Sequence, residues 1–342
     1  MFSTIRKRML ALALLAAVAV AGQASADMLL NGAGATFPYP LYSKWFSEYA
    51  KVDRSVKFNY QSIGSGGGIK QITAGTVDFG ASDKPLSDAE LAAAPGKLLH
   101  IPTVMGAVVI TYNIPGVGKG LKLKAADIVD IYFGRITRWN DKRIADDNPG
   151  VKLPNEPIIV VHRSDGSGTT AIFTSYLCSV SPEWKSRVGT NTSVNWPVGL
   201  GGKGNEGVAG QVKNTRYSIG YVELAYAFEN KLPLAFLQNQ AGHFVEPTIA
   251  STSAAAAGAA KHMPHDYRIS LVNQPGKNAY PIAGFTYLLV YQNQRDAAKG
   301  RKLVEFLKWE LHHGQKMAAP LLYAPLPANV AQMVEKTIQT IK

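Results

Sequence analysis

Beyond residue 26 the chain alternates two kinds of hydrophobic pattern. Short runs that are apolar throughout, or that alternate apolar with polar positions, occur at Lys57 to Gln61, Val77 to Ala81, Ala107 to Asn113, Pro157 to His162 and Phe285 to Tyr291, and predict β-strands. Between them, Leu41 to Ala50, Ala125 to Phe133, Ala171 to Cys178, Gly300 to Gly314 and Ala328 to Ile341 carry apolar residues three and four apart. Several follow a glycine or proline, and all predict helices. Strand and helix in alternation imply an α/β fold with largely parallel sheets. No repeat with a period of about 20 to 50 residues is present, which sets solenoids and propellers aside. The Ala-rich tract Ser251 to Lys261 predicts a surface helix or loop without chemistry of its own.

The start of the chain has a different pattern. Arg6, Lys7 and Arg8 precede an apolar run from Met9 to Val20, and Ala24-Ser25-Ala26 supplies small residues, which together predict a secretory signal cleaved after Ala26. The run falls short of the roughly 20 residues that span a bilayer, and no later stretch is long and apolar enough. The expectation is a soluble protein outside the cytoplasm. At 342 residues, with 46% hydrophobic and 18% charged, the chain has the composition of a folded protein of about two domains. Its one cysteine, Cys178, excludes an internal disulfide and a four-cysteine zinc site, and its place on an apolar helix position predicts a buried thiol.

Charge narrows the function. The formal net charge is +12, and loss of Arg6, Lys7 and Arg8 with the signal leaves +9, so the surface favours an anionic partner. Nucleic acid, an anionic membrane and a small oxyanion all carry that charge. Export, and the lack of any zinc-finger, basic-helix or RNP-like pattern, argue against nucleic acid.

One loop type recurs. Asn31 to Pro38 (NGAGATFP), Ile63 to Ile69 (IGSGGGI) and Arg163 to Thr170 (RSDGSGTT) each follow a predicted strand and lead into a helical segment. Glycine lets an anion approach the backbone, and the first N–H groups of a helix lack internal partners and carry partial positive charge. Thr36, Ser65, Ser167 and Thr169 add hydroxyl donors, which suits a tetrahedral oxyanion. A single such loop is most simply a capped helix; three together point to an anion. The first two lack the last glycine of a dinucleotide fingerprint, and Lys119 and Lys203 are followed by glycine rather than the Ser or Thr of a P-loop.

Arg163 ends a strand at the mouth of the third loop, where a guanidinium pairs two oxyanion oxygens, although a surface arginine would read the same way. Asp83 ends the segment Val77 to Asp83, a strand terminus of the same kind, and would repel a fully ionised anion. A protonated oxyanion instead donates a hydrogen bond to that carboxylate, so hydrogen phosphate fits and sulfate does not.

The segments 32 to 38 (GAGATFP), 77 to 83 (VDFGASD), 165 to 169 (DGSGT) and 196 to 205 (WPVGLGGKGN), continuing through Ile219 to Glu223 and on to Trp309, closely resemble the phosphate-binding protein of the phosphate ABC transporter, the PstS family. The resemblance covers nearly the whole chain after the signal. It implies a two-lobed periplasmic binding protein fold of type II, with a hinged cleft that closes on phosphate. Lobe 1 would hold residues 27–106 plus 283–342 and lobe 2 residues 107–282, with crossings near Pro102 to Gly106 and Pro281 to Gly284. Carried onto matching positions, phosphate contacts fall to Thr36, Phe37, Ser65, Ser167, Gly168 and Thr169. Arg163 is the positive partner, Asp83 the proton acceptor, and Asp165 steadies the arginine. One departure is Gly66, where the family often has a second serine. The implied partners are inorganic phosphate and the permease and ATPase subunits of an importer, with a monomeric receptor, no cofactor, no metal and no nucleic acid.

Other readings carry less. His162, Asp165 and Ser167 invite a phosphate-ester hydrolase, yet residues this close on one strand end do not converge as base, orienting acid and nucleophile. His262 with His265, and His312 with His313, lack the carboxylates that would complete a metal site. Trp45, Trp139, Trp184, Trp196 and Trp309 fit packing roles better than base stacking. A surface adhesin or DNA binder driven by charge alone is the third class.

Overall fold

The computed structural model describes residues 28–342, so the predicted signal and its cleavage after Ala26 lie outside the described residues. The principal elements in chain order are β1 (Met28–Gly34), α1 (Tyr39–Val52), β2 (Val56–Ser62), α2 (Ser65–Ala74), β3 (Phe79–Ser82), β4 (Leu98–Tyr112), α3 (Ala125–Tyr132), β5 (Ile159–Arg163), α4 (Gly168–Val180), β6 (Leu200–Gly202), α5 (Gly204–Asn214), β7 (Ser218–Glu223), α6 (Leu224–Glu229), α7 (Ile249–Ala259), β8 (Ala283–Tyr291), α8 (Ala297–His312) and α9 (Ala328–Ile338). Eight strands form one sheet in the order β2-β1-β3-β8-β4-β7-β5-β6. Three short strands, Lys122–Leu123, Phe236–Gln238 and Phe244–Val245, make a second small sheet.

The fold is α/β, as the alternating pattern predicts, but the large sheet is mixed rather than largely parallel. β1 pairs parallel with β2 and β3, and β5 parallel with β6 and β7, as helix crossovers require. The antiparallel pairs, β8 with β3, β8 with β4 and β4 with β7, sit in the middle. They arise because β4 and β8 run in opposite directions between the two parallel ends. Leu98 to Ala107 of β4 pair with β8, and Val108 to Tyr112 pair with β7, so one strand belongs to both ends. The apolar pattern alone predicts only its second half, because Pro102 and Gly106 read as strand breaks. Pro102 is tolerated beside a register shift at Thr286/Tyr287 that leaves Thr103 between two ladder pairs.

Every residue of β8 is buried, as expected of a strand covered on both faces. At the β2 end, α1 buries Leu41, Tyr42, Trp45 and Tyr49, and the Trp45 indole donates to the Gly314 carbonyl at 2.8 Å. At the β6 end, Phe173 stacks on Tyr221 with ring centroids 4.4 Å apart. Trp45, Trp139 and Trp184 are fully buried, in keeping with packing roles. Cys178 is only half-buried, at the rim of the core rather than inside it, because α4 turns that position toward its exposed edge. The Ala-rich tract is a helix, and its Ala255, Ala256 and Ala259 face the core. Among the described residues no helix is long and apolar enough to cross a membrane.

Candidate functional site

The two parallel sets run in opposite directions, so their C-terminal ends, where open α/β folds place their ligands, point toward one another at the middle of the sheet, where β4 passes from β8 to β7. From the β2 end come three loops. Thr36 follows β1, Ser65 opens α2, and Asp83 follows β3. From the β6 end come Arg163 at the end of β5, Gly168 and Thr169 at the start of α4, and Asn205 at the start of α5. All are buried.

The two sets touch. Gly66 N–H donates to the Gly166 carbonyl at 2.9 Å, joining the second glycine loop to the third. A Cβ on Gly168 would stand 2.3 Å from Ser65 Oγ and 2.4 Å from Asp83 Oδ2, so only glycine lets the start of α4 lie against them. A Cβ on Gly64, whose φ is +85°, would stand 2.4 Å from Asp165 Oδ2. Asn205 Nδ2 donates to Thr36 Oγ1 at 2.7 Å and to Thr169 Oγ1 at 3.1 Å. Arg163 Nη1 reaches Thr169 Oγ1 at 3.4 Å. Thus Thr36, Ser65, Asp83, Arg163, Gly168 and Thr169 form a single cluster.

Two carboxylates in it differ in partner. Asp165 faces Arg163 side-on, accepting from Nε at 2.7 Å and Nη2 at 2.6 Å, and takes Gly204 N–H at 3.0 Å. Burial pushes its pKa up, but the guanidinium and the amide prevail and hold it below the ordinary value. Among the described residues no cation lies at hydrogen-bond distance from Asp83. Asp83 accepts from Thr286 Oγ1 at 2.8 Å, its N–H donates to Ser65 Oγ at 3.1 Å, and burial raises its carboxyl from 3.8 to about 7 despite Thr286, the charge of Arg163 and Ser65. The site therefore holds a cation whose charge is largely countered by Asp165, and an acid ready to take or give a proton near neutrality.

Two predicted residues stand apart from the side-chain network. Ser167 is the N-cap of α4, its Oγ accepting Thr170 N–H at 3.0 Å, and its own N–H donates to the Thr192 carbonyl at 2.7 Å, so what it has left to offer a ligand is the hydroxyl proton. Phe37 turns its ring into the core under Gly106, and its carbonyl accepts from Tyr323 OH at 2.7 Å, so of its polar groups only the N–H is left for a ligand.

Asn205, Thr286 and Tyr221 complete the cluster and were not singled out from sequence. Asn205 closes the quoted motif 196 to 205, which was its only signal. Thr286 lies inside an apolar strand. Tyr221 OH accepts Arg163 N–H at 3.1 Å and shares a hydrogen bond with Thr170 Oγ1 at 2.6 Å. The hydrolase constellation does not assemble. His162 stacks on Trp196 at 4.9 Å, its Nδ1 lies against the Arg163 carbonyl, and Asp165 is engaged by Arg163 and Gly204. Among the described residues no group of three or more His, Cys, Asp or Glu could hold a metal ion.

The chain matches the PBP superfamily domain over residues 19–310. It is 47% identical over 307 residues to the phosphate-binding protein PstS of Xylella fastidiosa strain 9a5c, covering 90% of this chain and 84% of that one. It belongs to the PstS family. A PstS of Methanocaldococcus jannaschii is 42% identical over 338 residues, covering 92% of this chain and 87% of the relative. Among solved structures, the periplasmic phosphate-binding protein PfluDING bound with phosphate superposes with a TM-score of 0.72 at 24% identity, covering 90% of this chain and 93% of that one. A phosphate-binding protein of Stenotrophomonas maltophilia gives 0.68 at 21%, with the same coverage. At those identities the superpositions speak for the fold, which is that of the type II periplasmic binding proteins.

Proposed function

We propose that this PstS family member is a periplasmic receptor that binds inorganic phosphate between two lobes and hands it to the permease and ATPase subunits of an ABC importer. It acts as a monomer and carries out no chemistry on the ligand. The lobes are residues 27–106 plus 283–342, and 107–282, joined where β4 passes from β8 to β7. The family supports phosphate as the ligand.

The observation that carries the reading is the pairing of Arg163 with a buried acid, Asp83, that lacks a cation of its own. An anion with a proton answers both: its oxygens meet Arg163, the hydroxyls of Thr36, Ser65, Ser167 and Thr169 and the N–H groups of Phe37, Gly168 and Thr169, while its proton meets Asp83. Asp165 fixes the guanidinium.

The test is titration calorimetry of the mature protein, stripped of bound ligand, with phosphate, sulfate and arsenate. One phosphate per chain, with sulfate at least about 100-fold weaker, is expected. Equal affinity for sulfate overturns the role of Asp83. Sustained release of phosphate from an added ester, beyond one equivalent, overturns the receptor reading in favour of a hydrolase.

A further inference from the structure

Asn205 is the fully buried amide at the start of α5, and its hydrogen bonds leave it one orientation. Glu223 N–H can only donate, and it donates to Asn205 Oδ1 at 2.9 Å, so the other branch is the NH2 group. That NH2 group donates to Thr36 Oγ1 at 2.7 Å and to Thr169 Oγ1 at 3.1 Å. Thr36 Oγ1 takes a second N–H from the Asn205 backbone at 3.3 Å, and Thr169 Oγ1 takes a second from Arg163 Nη1 at 3.4 Å.

A hydroxyl has two lone pairs and one proton. In both threonines the lone pairs are loaded with N–H donors, and among the described residues neither O–H has an acceptor. Each hydroxyl can add only one more bond, as a donor. Thr36 follows β1 and Thr169 opens α4, so one amide sets both hydroxyls to face an acceptor from opposite ends of the sheet.

We infer that Asn205 is a positioning residue of the anion site: its side-chain amide polarises Thr36 and Thr169 as obligate donors to the ligand and, through Thr36, ties the two ends together when the site is closed. The inference rests on the phosphate reading above. A neutral amide does this without adding charge beside Arg163 and Asp83. A carboxylate of the same shape would do the opposite, accepting both hydroxyl protons and leaving the ligand to face lone pairs.

The experiment is calorimetric titration of the stripped protein with inorganic phosphate. Asn205→Ala is expected to bind about 10- to 30-fold more weakly, and Asn205→Asp at least about 100-fold more weakly. A merely structural role is separated by a double-mutant cycle. In a Thr36→Val/Thr169→Val background, Asn205→Ala is expected to cost less than about 2-fold, because the hydroxyls it acts through are gone. The same loss in both backgrounds, or full affinity in Asn205→Ala, overturns the inference. If melting shows Asn205→Ala to be unfolded, the cycle is read with Asn205→Leu, which keeps the shape and adds no charge, on the same criteria. A wild-type protein that does not bind phosphate brings down the proposed function along with this role. Tight wild-type binding with an additive cycle brings down this role alone.

Discussion

Asp83 and Asp165 stand at the ends of strands in opposite halves of the sheet, yet their carboxyls are moved in opposite directions from the ordinary value. Asp165 lies against a guanidinium and stays ionised. Asp83, 4% exposed, has only a threonine hydroxyl on its Oδ1, and burial lifts its carboxyl to about 7. Depth alone would raise both; the partner decides. One acid serves to hold a cation still, and the other is free to exchange a proton, a division of labour that suits the proposed binding of a protonated anion.

The comparison breaks most severely if the cation is removed. Arg163→Ala takes the positive partner from the ligand and leaves Asp165 part-buried with only the Gly204 amide. Phosphate affinity should fall at least about 1000-fold, or about 4 kcal/mol, with a further loss of a few kcal/mol in stability of the unliganded protein. Calorimetry and denaturant titration measure the two. An affinity within tenfold of wild type would place Arg163 outside the ligand's reach.

Next in size is Asp83→Asn, which keeps shape and removes the titration. Sulfate discrimination should weaken by about 100-fold, read by competition between sulfate and phosphate. The same variant isolates a pH effect. With a carboxyl at about 7 in the folded chain and an ordinary value of 3.8, the folded protein holds a proton that the unfolded chain has released between those limits. That stability is full below the lower limit and is lost as pH rises through the upper one. His100 slopes the other way, since burial first and then the charge of Arg268 bring its imidazole down to about 4, but it is common to both proteins. Unliganded wild type should therefore gain at least about 3 °C in melting temperature over Asp83→Asn between pH 8 and pH 5. Parallel melting curves would mean that Asp83 is ionised throughout.

How much of this was legible in the sequence follows from how local each signal is. A glycine loop between a strand and a helix is written in a few consecutive residues, so Thr36, Ser65, Arg163, Asp165 and Ser167 to Thr169 could be placed at strand ends before any coordinates. Hydroxyl orientation is not local. Asn205 matters because α5 delivers it between Thr36 and Thr169, each more than thirty residues away in the chain. Thr286 is one polar position in an apolar strand, and it matters because antiparallel pairing of β8 with β3 sets it beside Asp83. The middle of the sheet was hidden for the same reason: Pro102 and Gly106 look like breaks until β8 is alongside. Ser167 was legible in position but not in role, since a helix cap and an anion donor ask for the same residue.

The finest test lies at Thr286 itself. Its hydroxyl donates to Asp83 Oδ1, and a hydrogen bond to a carboxylate favours the ionised form, so it is the principal local brake on the rise caused by burial. Thr286→Val keeps the volume and deletes that donor. The loss should be about 2 kcal/mol above neutrality, where Asp83 is ionised, and nearer 1 kcal/mol at pH 5, where it is protonated. The Asp83 midpoint, followed by carbon NMR of the labelled side chain, should move up by about half to one pH unit, while that of Asp165, held by a cation rather than a hydroxyl, should stay in place. Equal movement of both midpoints would mean that a change in burial, not the lost hydroxyl, is being measured, and the contrast between the two acids would then rest on depth after all.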